Sequence, residues 1–481
     1  MYDIIVVGGG TAALAAALVA RESAARVLVL EKSPRHMRGG NGRLTGGNVR
    51  FAFDDPSDLT RFLPNEDVRP WENLQIIPYP VSTFAKELEE ISGGRADPDL
   101  IQWLARGSSA AARWLLERGV AWQLSTTFIK PVLGRTTYRD GIVLALKGGG
   151  TSLVEHLYAQ AEKAGADIWY DAAARGLLHD HDGAVYGVEV QHKDQGTVRV
   201  QAPRVVLACG GFESSPAMRA RYLGRAWQDV RVRAVPFNTG EMLEEALGLG
   251  AAMHGDWSAC HACPVDPSCP PFGDEATGEG PLRLAFPYSI TVNIEGRRFM
   301  DEGRDVASRT YASAGRAILE QPESRAFQIF DQSVTGLLDR YYHEGKPIVA
   351  NDITQLARCT SIPSDALCET VRSFNASVCR TTPFAPATKD GRAAKTTPPK
   401  SNWANPLENP PFHAYEVVAG ITFTYGGLRI DQTAAVLRSD GTHIPGLFAA
   451  GEITGGFFVD PYPAACGILR NILTGLAAGS R

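Results

Sequence analysis

The stretch DIIVVGGGTAALAAALVARESAARVLVLEK, residues 3–32, constrains this chain more than any other. An apolar run ends on three glycines, an alanine-rich segment follows, and a second apolar run ends in an acid. That order reads as strand, helix and strand, and two strands joined through a helix lie parallel in an α/β sheet. Gly8, Gly10 and Ala13 give G-x-G-x-x-A across the strand-to-helix turn. Gly8 permits the tight turn, Gly10 lets a pyrophosphate approach the backbone, and Ala13 lets the helix pack close to the strand. Thr11 and Ala12 open the helix, whose free N–H groups and positive dipole end suit phosphate. Glu31, beside Lys32, stands about 20 residues further on, where an acid holds a ribose hydroxyl. A carboxylate there disfavours the 2′-phosphate of NADP.

Three later glycine-rich segments point to FAD rather than NAD. GGNGRLTGG offers Gly39, Gly40, Asn41, Gly42, Thr45, Gly46 and Gly47 as a run of backbone donors soon after Glu31. VVLACGG is a strand that ends at Ala208, Gly210 and Gly211, and GLFAAGEITGG is another that ends at Gly451 and Glu452. A nicotinamide site has no need of a glycine-rich return so near the C-terminus. Glu241 opens a helix in NTGEMLEEALGLGA, where an acid favours the dipole.

The chain has 481 residues, more than one typical domain holds. Strand patterns cluster before about residue 255 and return at GLRID, while 256–422 is richer in Pro, Arg and irregular sequence. The expected architecture is a Rossmann-like FAD-binding domain, 1–255 and 423–481, with an α+β substrate-capping domain, 256–422, inserted into it. Helix 151–163 is expected to start on a Thr151 or Ser152 cap, and the Pro-rich stretch 379–406 reads as a polar surface loop. The net charge of -5 provides no basic field for nucleic acid or anionic lipid. No apolar run approaches the ~20 residues of a membrane span. The strand at residue 2 with no leader before it suggests a cytoplasmic address. Eight cysteines in such a setting are expected as thiols. CHACPVDPSC lacks the second cysteine pair of a zinc site, so no metal is expected.

Together these segments resemble the flavoprotein family of succinate dehydrogenase and fumarate reductase, over nearly the whole chain. GDWSACHA, AFQIFD and TFTYGGLRID resemble its soluble tricarballylate dehydrogenase-like branch, with 3-ketosteroid Δ1-dehydrogenases more distant. The resemblance implies α,β-desaturation of a small polycarboxylate, with hydride moving to flavin N5. Succinate dehydrogenases attach FAD through a histidine in the segment matching NGRLTG, where this chain has Gly42, so FAD is expected to be non-covalent.

The same resemblance implies site residues. Arg304, by its RDxAS context, or Arg309 is the proton-carrying arginine, relayed by Asp301, Glu302 or Asp305. His261 holds a substrate carboxylate. Phe423 stands where a second histidine is expected, and Arg283 is the nearest compensating cation. Tyr462, pinned between prolines, replaces a carboxylate-clamping arginine, and a neutral phenol can donate to a carboxylate or ketone oxygen. Cys466, Gly467 and Ile468 open a helix whose N–H groups face the flavin C2 carbonyl. Ala464 and Ala465 stand where relatives have glycines. Arg231 and Arg233 are further anion-binding candidates.

A small, carboxylate-bearing molecule is thus the expected partner, with a separate electron-transfer protein as a possible second. The alternative chemistry is a desaturase or ene-reductase tailoring a ketone- or acid-containing metabolite. A flavin-binding electron carrier with no substrate of its own is the reading from another class.

Overall fold

The computed structural model describes residues 2–480 except 64–73, 127–129, 133–134, 139, 277 and 279. Ile4–Val7 is the centre of a six-stranded sheet. It pairs in parallel with Val27–Leu30 on one side and Arg204–Leu207 on the other. Asp167–Trp169 and His443–Ala449 extend the parallel order, and Ala435–Leu437 closes one edge antiparallel. The apolar residues of these strands are buried because helices Thr11–Glu22 and Gly467–Gly479 and an antiparallel sheet of Ala172–His179, Val185–His192 and Gly196–Gln201 pack against them. The carboxyl ends of four strands therefore converge; Gly8, Glu31 and Ala208 follow three of them directly, and Gly451 follows the fourth after Ala450. Ligands of open α/β sheets bind at that edge.

Helix Thr11–Glu22 is fixed by close approach to the C-terminal helix Gly467–Gly479. A β-carbon on Gly475 would lie 2.4 Å from Ala12 O, and one on Gly479 2.4 Å from Ala16 O. Two glycines one turn apart let the helices touch along their backbones, so the two chain termini build one layer.

A second sheet is organised by the 13-residue strand Phe412–Thr424. Cys260–Val265, Arg325–Phe330, Ile348–Ala350 and Arg231–Val232 all pair with it, and Ile290–Asn293 joins through Arg325–Phe330. This sheet reaches beyond 256–422 at both ends, to Arg231–Val232 and to Phe423–Thr424. Helix Ala307–Leu319 lies on Cys260–Val265, and a β-carbon on Gly315 would meet Cys263 N at 2.5 Å.

Two local expectations are corrected. Helix Gly149–Lys163 starts two residues early: Gly148, at φ +77°, is its N-cap, so Thr151 and Ser152 fall inside the first turn. The stretch 379–406 is not a purely polar surface loop. Trp403 and Lys400 are buried within it; the indole N–H donates to Ala385 O and Thr388 O, and the ammonium to Pro287 O and Ser289 O. Its irregular backbone stays put because buried side chains satisfy its carbonyls.

Candidate active site

Two adjoining cavities occupy the seam between the sheets. The first, a cleft of about 100 Å³, lies at the carboxyl edge of the parallel sheet. Gly8, Gly10, Thr11, Ala12, Glu31, Lys32, Gly40, Asn41, Gly42, Ala208, Gly210, Gly211, Glu241, Gly451 and Glu452 line it. Ala13 lies one turn behind, fully buried. The glycines divide by cause. Gly8 has φ +107° and its β-carbon would strike Ala208 O at 2.4 Å, so packing and backbone both demand it. Gly10 and Gly40 are different: a β-carbon on Gly10 would meet nothing nearer than Gly39 O at 3.7 Å, and one on Gly40 nothing nearer than Gly10 Cα at 3.8 Å. Protein packing leaves that space open at the N-terminus of helix Thr11–Glu22, which fits a pyrophosphate.

Glu31 is buried and accepts from Ser33 N at 2.8 Å; burial pushes its carboxyl up, and the N–H groups of Ser33, Gly39 and Gly9 pull it down. Lys32 closes the far end of the cleft, donating to Glu241 at 2.8 Å and to Thr239 at 2.5 Å. Gly39 and Gly47, at φ +108° and +82°, and Thr45 turn the 39–47 loop over helix Gly149–Lys163, with Gly150 N donating to Thr45 O at 2.8 Å.

A pair of buried carboxyls stands in the wall between the cavities. Asn41 Nδ2 donates to Glu213 at 2.7 Å and to Glu452 at 3.4 Å. Asn238 also donates to Glu213, and Thr424 N to Glu452. A β-carbon on Gly211 would fall 2.4 Å from Glu452 and 3.0 Å from Glu213, so that glycine makes room for both. Burial raises both carboxyls, Glu452 the further because Glu213 repels its charge.

The second cavity, about 210 Å³, is lined by Asn41, Gly42, Thr45, Gly46, Ala464, Ala465, Gly467 and Ile468 and by Leu44, Leu282, Leu284, Tyr311, Phe423 and Tyr462. His261 stacks on Phe423 at 4.7 Å and meets Tyr462 and Tyr311 edge-on at 4.6 and 5.1 Å. Its Nε2 is hydrogen-bonded to the Tyr311 hydroxyl, and its buried Nδ1 has no partner. Burial, reinforced by the Arg233 charge, holds His261 well below the usual imidazole range, so it is neutral. Arg233 is itself buried on the wall and donates to Thr422 Oγ1 at 2.7 Å.

Tyr462 is buried, and its hydroxyl oxygen accepts two backbone N–H groups, from Gly467 at 2.8 Å and Cys466 at 3.1 Å. The first donors of helix Gly467–Gly479 thus spend themselves on the phenol rather than pointing freely at the cavity. With its lone pairs so occupied, the hydroxyl has its own proton to donate. Burial raises its pKa, against which the two N–H groups act. Burial also pushes the Cys466 thiol up to about 11, leaving it neutral.

Of the expected cations, Arg233 lines the second cavity and the others lie elsewhere. Arg304 is exposed, lines neither cavity and sits within the field of Asp460. Arg309 binds Glu87. Arg283 lies between two cavity-lining leucines but points away from the cavity, onto Tyr341 O at 2.6 Å and Asp266 and over the rings of Tyr342 and Tyr415. Asp301, Glu302 and Asp305 hold structural partners: Ser401, Arg298 and Lys389. Arg231 binds Pro267 O at 3.1 Å. Sequence reasoning missed Tyr311, Glu213 and Arg470. Arg470 lines the second cavity, its guanidinium 5.2 Å from the Phe458 ring. Only a strand contact reveals Tyr311; GGFE at the end of a strand was a legible hint for Glu213.

A glycine-lined cleft at the edge of a parallel sheet, continuous with an apolar chamber under a second sheet, defines a flavin-dependent oxidoreductase. The chain matches the family described as an FAD binding domain over residues 3–468 and belongs to it. It is 28% identical over 460 residues to a fumarate reductase (cytochrome) of Shewanella frigidimarina, covering 94% of this chain and 72% of that one. It is 30% identical over 564 residues to a 4-oxocyclohexanecarboxylate 2-dehydrogenase of Sinomonas cyclohexanicum, covering 99% and 92%. A 3-ketosteroid-Δ4-(5α)-dehydrogenase from Rhodococcus jostii RHA1 shares the fold, with a TM-score of 0.73 at 24% identity, over 100% of this chain and 96% of that one. The protein is an FAD-dependent oxidoreductase of the fumarate reductase family, acting on CH–CH or C=C bonds. Among the described residues no helix is long and apolar enough to cross a membrane.

Proposed function

We propose that this enzyme desaturates, or in reverse saturates, the bond next to the carbonyl of a compact and mostly apolar ketone or keto-acid. The carrying observation is Tyr462: a buried phenol that accepts two N–H groups and so has its proton left for an oxygen in the second cavity. Bound FAD supplies the hydride acceptor, or the donor in reverse. Donation from Tyr462 to the carbonyl oxygen stabilises the charge that develops there when the adjacent carbon loses its proton. Tyr311 is the proton carrier. Burial holds the Tyr311 phenol well above the usual tyrosine range, with the Arg233 charge acting against that shift, so the hydroxyl hydrogen-bonded to His261 keeps its proton until the substrate or its carbanion exchanges it. In the reverse direction the Tyr311 hydroxyl returns it. Leu44, Leu282, Leu284 and Phe423 exclude water.

A tricarballylate-like polycarboxylate has less support. Three carboxylates need several cations, and the cavity lining includes Arg233 and Arg470, while Arg304 is exposed outside it and Arg309 and Arg283 are bound to Glu87 and Asp266. A ketone with one carboxylate suits Tyr462 plus one guanidinium, and the name of the Sinomonas relative combines those two groups. FAD is held without a covalent bond, and electrons pass to or from a separate carrier. The test is anaerobic bleaching of the flavin by 4-oxocyclohexanecarboxylate, cyclic ketones, succinate and tricarballylate, with enone reoxidation as the reverse arm. Bleaching by tricarballylate and by none of the ketones sinks this reading.

A further inference from the structure

Tyr311 and Tyr462 come from segments about 150 residues apart, and one buried ion-pair cluster outside both cavities reaches the backbone of each. Arg50 is fully buried. Its Nε donates to Ala464 O at 3.0 Å and its backbone N–H to Ala465 O at 3.0 Å. Ala465 has φ +65°, the left-handed region that an alanine adopts only under constraint. The next two N–H groups, those of Cys466 and Gly467, are the ones that hold the Tyr462 hydroxyl. Arg50 thus clamps a strained alanine pair immediately before the donors that orient the phenol.

Glu87, on helix Val81–Ser92, orients that clamp. Its Oε2 accepts from Arg50 Nη1 at 3.0 Å and from the Tyr79 hydroxyl. Its other oxygen, Oε1, binds Arg309. Arg309 lies in the first turn of helix Ala307–Leu319, two residues before Tyr311. One carboxylate therefore holds, by its two oxygens, the loop that carries Tyr462 and the helix that carries Tyr311. We infer that Glu87 is a positioning residue that keeps the oxygen donor and the proton carrier in register across the boundary between the two sheets. The assignment of those two tyrosines rests on the function proposed above; the geometry of the clamp does not.

Inorganic sulfite tests the loop arm without any substrate, because its addition to oxidised flavin leaves an anionic ring, which the donor oriented by the 464–467 loop, the Tyr462 hydroxyl, would stabilise. Arg50→Lys and Glu87→Gln holoenzymes should bind sulfite about tenfold more weakly, the scale of a helix-end charge interaction. Adding Ala465→Gly to either should recover wild-type affinity to within about twofold, because glycine holds a positive φ without a clamp. A merely structural role for Arg50 would not be rescued at position 465. Where Glu87→Gln yields no folded holoenzyme, Arg50→Lys carries the same test. Arg309→Met should leave sulfite affinity unchanged and slow flavin bleaching by 4-oxocyclohexanecarboxylate about tenfold or more, the scale of impaired acid–base catalysis. Unchanged sulfite affinity in Arg50→Lys, or no recovery with Ala465→Gly, overturns the inference. Absence of bleaching in the wild type overturns the substrate proposal and leaves the sulfite result to judge the clamp.

Discussion

The two cavities share a wall and are built by opposite rules. The first is lined largely by short, contiguous turns at strand ends, each of which carries its own reason in the sequence. The second takes His261 from a strand, Tyr311 from a helix, Phe423 from the end of a long strand and Tyr462 from a loop. In the first, backbone does the binding, so a missing β-carbon is the signal. In the second, side chains act in pairs, and the meaning of each depends on a partner far along the chain. Residues close together in the sequence therefore line the first cavity, whereas Arg304, Arg309 and Arg283 lie outside the lining of the second.

Filling the backbone-built cavity should have the largest effect. Gly10→Val puts a side chain into the open space facing Gly40 while disturbing little packing. The expected product is folded and colourless; a variant that still shows flavin absorbance after gel filtration would end the comparison. In the side-chain-built cavity, Tyr311→Phe should slow flavin reduction by about 10²–10⁴-fold, the usual range for lost acid–base catalysis. Tyr462→Phe should slow it by about 10²–10³-fold, as for a lost oxyanion donor. Both should retain FAD, measured by stopped-flow absorbance beside a flavin count.

Between the two lies the packing that joins the chain termini. Gly475→Ala forces a β-carbon against Ala12 O and should cost about 1–3 kcal/mol, read as a lower melting temperature with the reduction rate per bound flavin unchanged.

The shared wall should titrate. Burial raises the Glu213–Glu452 pair, so its contribution to stability is fully present below the ordinary glutamate value of about 4.3 and is lost as pH rises through the raised folded pKa. Apoprotein melting temperature should therefore fall with rising pH, and Glu452→Gln, which keeps a neutral donor, should flatten that slope. An equal slope in both proteins would show that the proton is held elsewhere. The smallest effect is expected at the surface: Arg304→Ala should change stability by no more than about 0.5 kcal/mol and leave reduction within about twofold. A rate loss as large as that of Tyr311→Phe would return the proton-carrying role to the arginine and break the contrast between motif and chamber.

The amino-acid sequence determined the parallel sheet, the nucleotide cleft and its glycines, because strand and helix periods and the turn before a phosphate-binding helix are local requirements. It also marked Tyr462 and His261, through neighbouring residues that persist in the motif. Only the tertiary structure decided which charges face the chamber. Asp266 and Tyr341 drew Arg283 out between two cavity-lining leucines, Glu87 took Arg309, and helix packing on Gly315 brought Tyr311 to His261. Those outcomes depend on contacts between segments far apart in the chain, where a one-residue change of face exchanges a ligand for a structural ion pair.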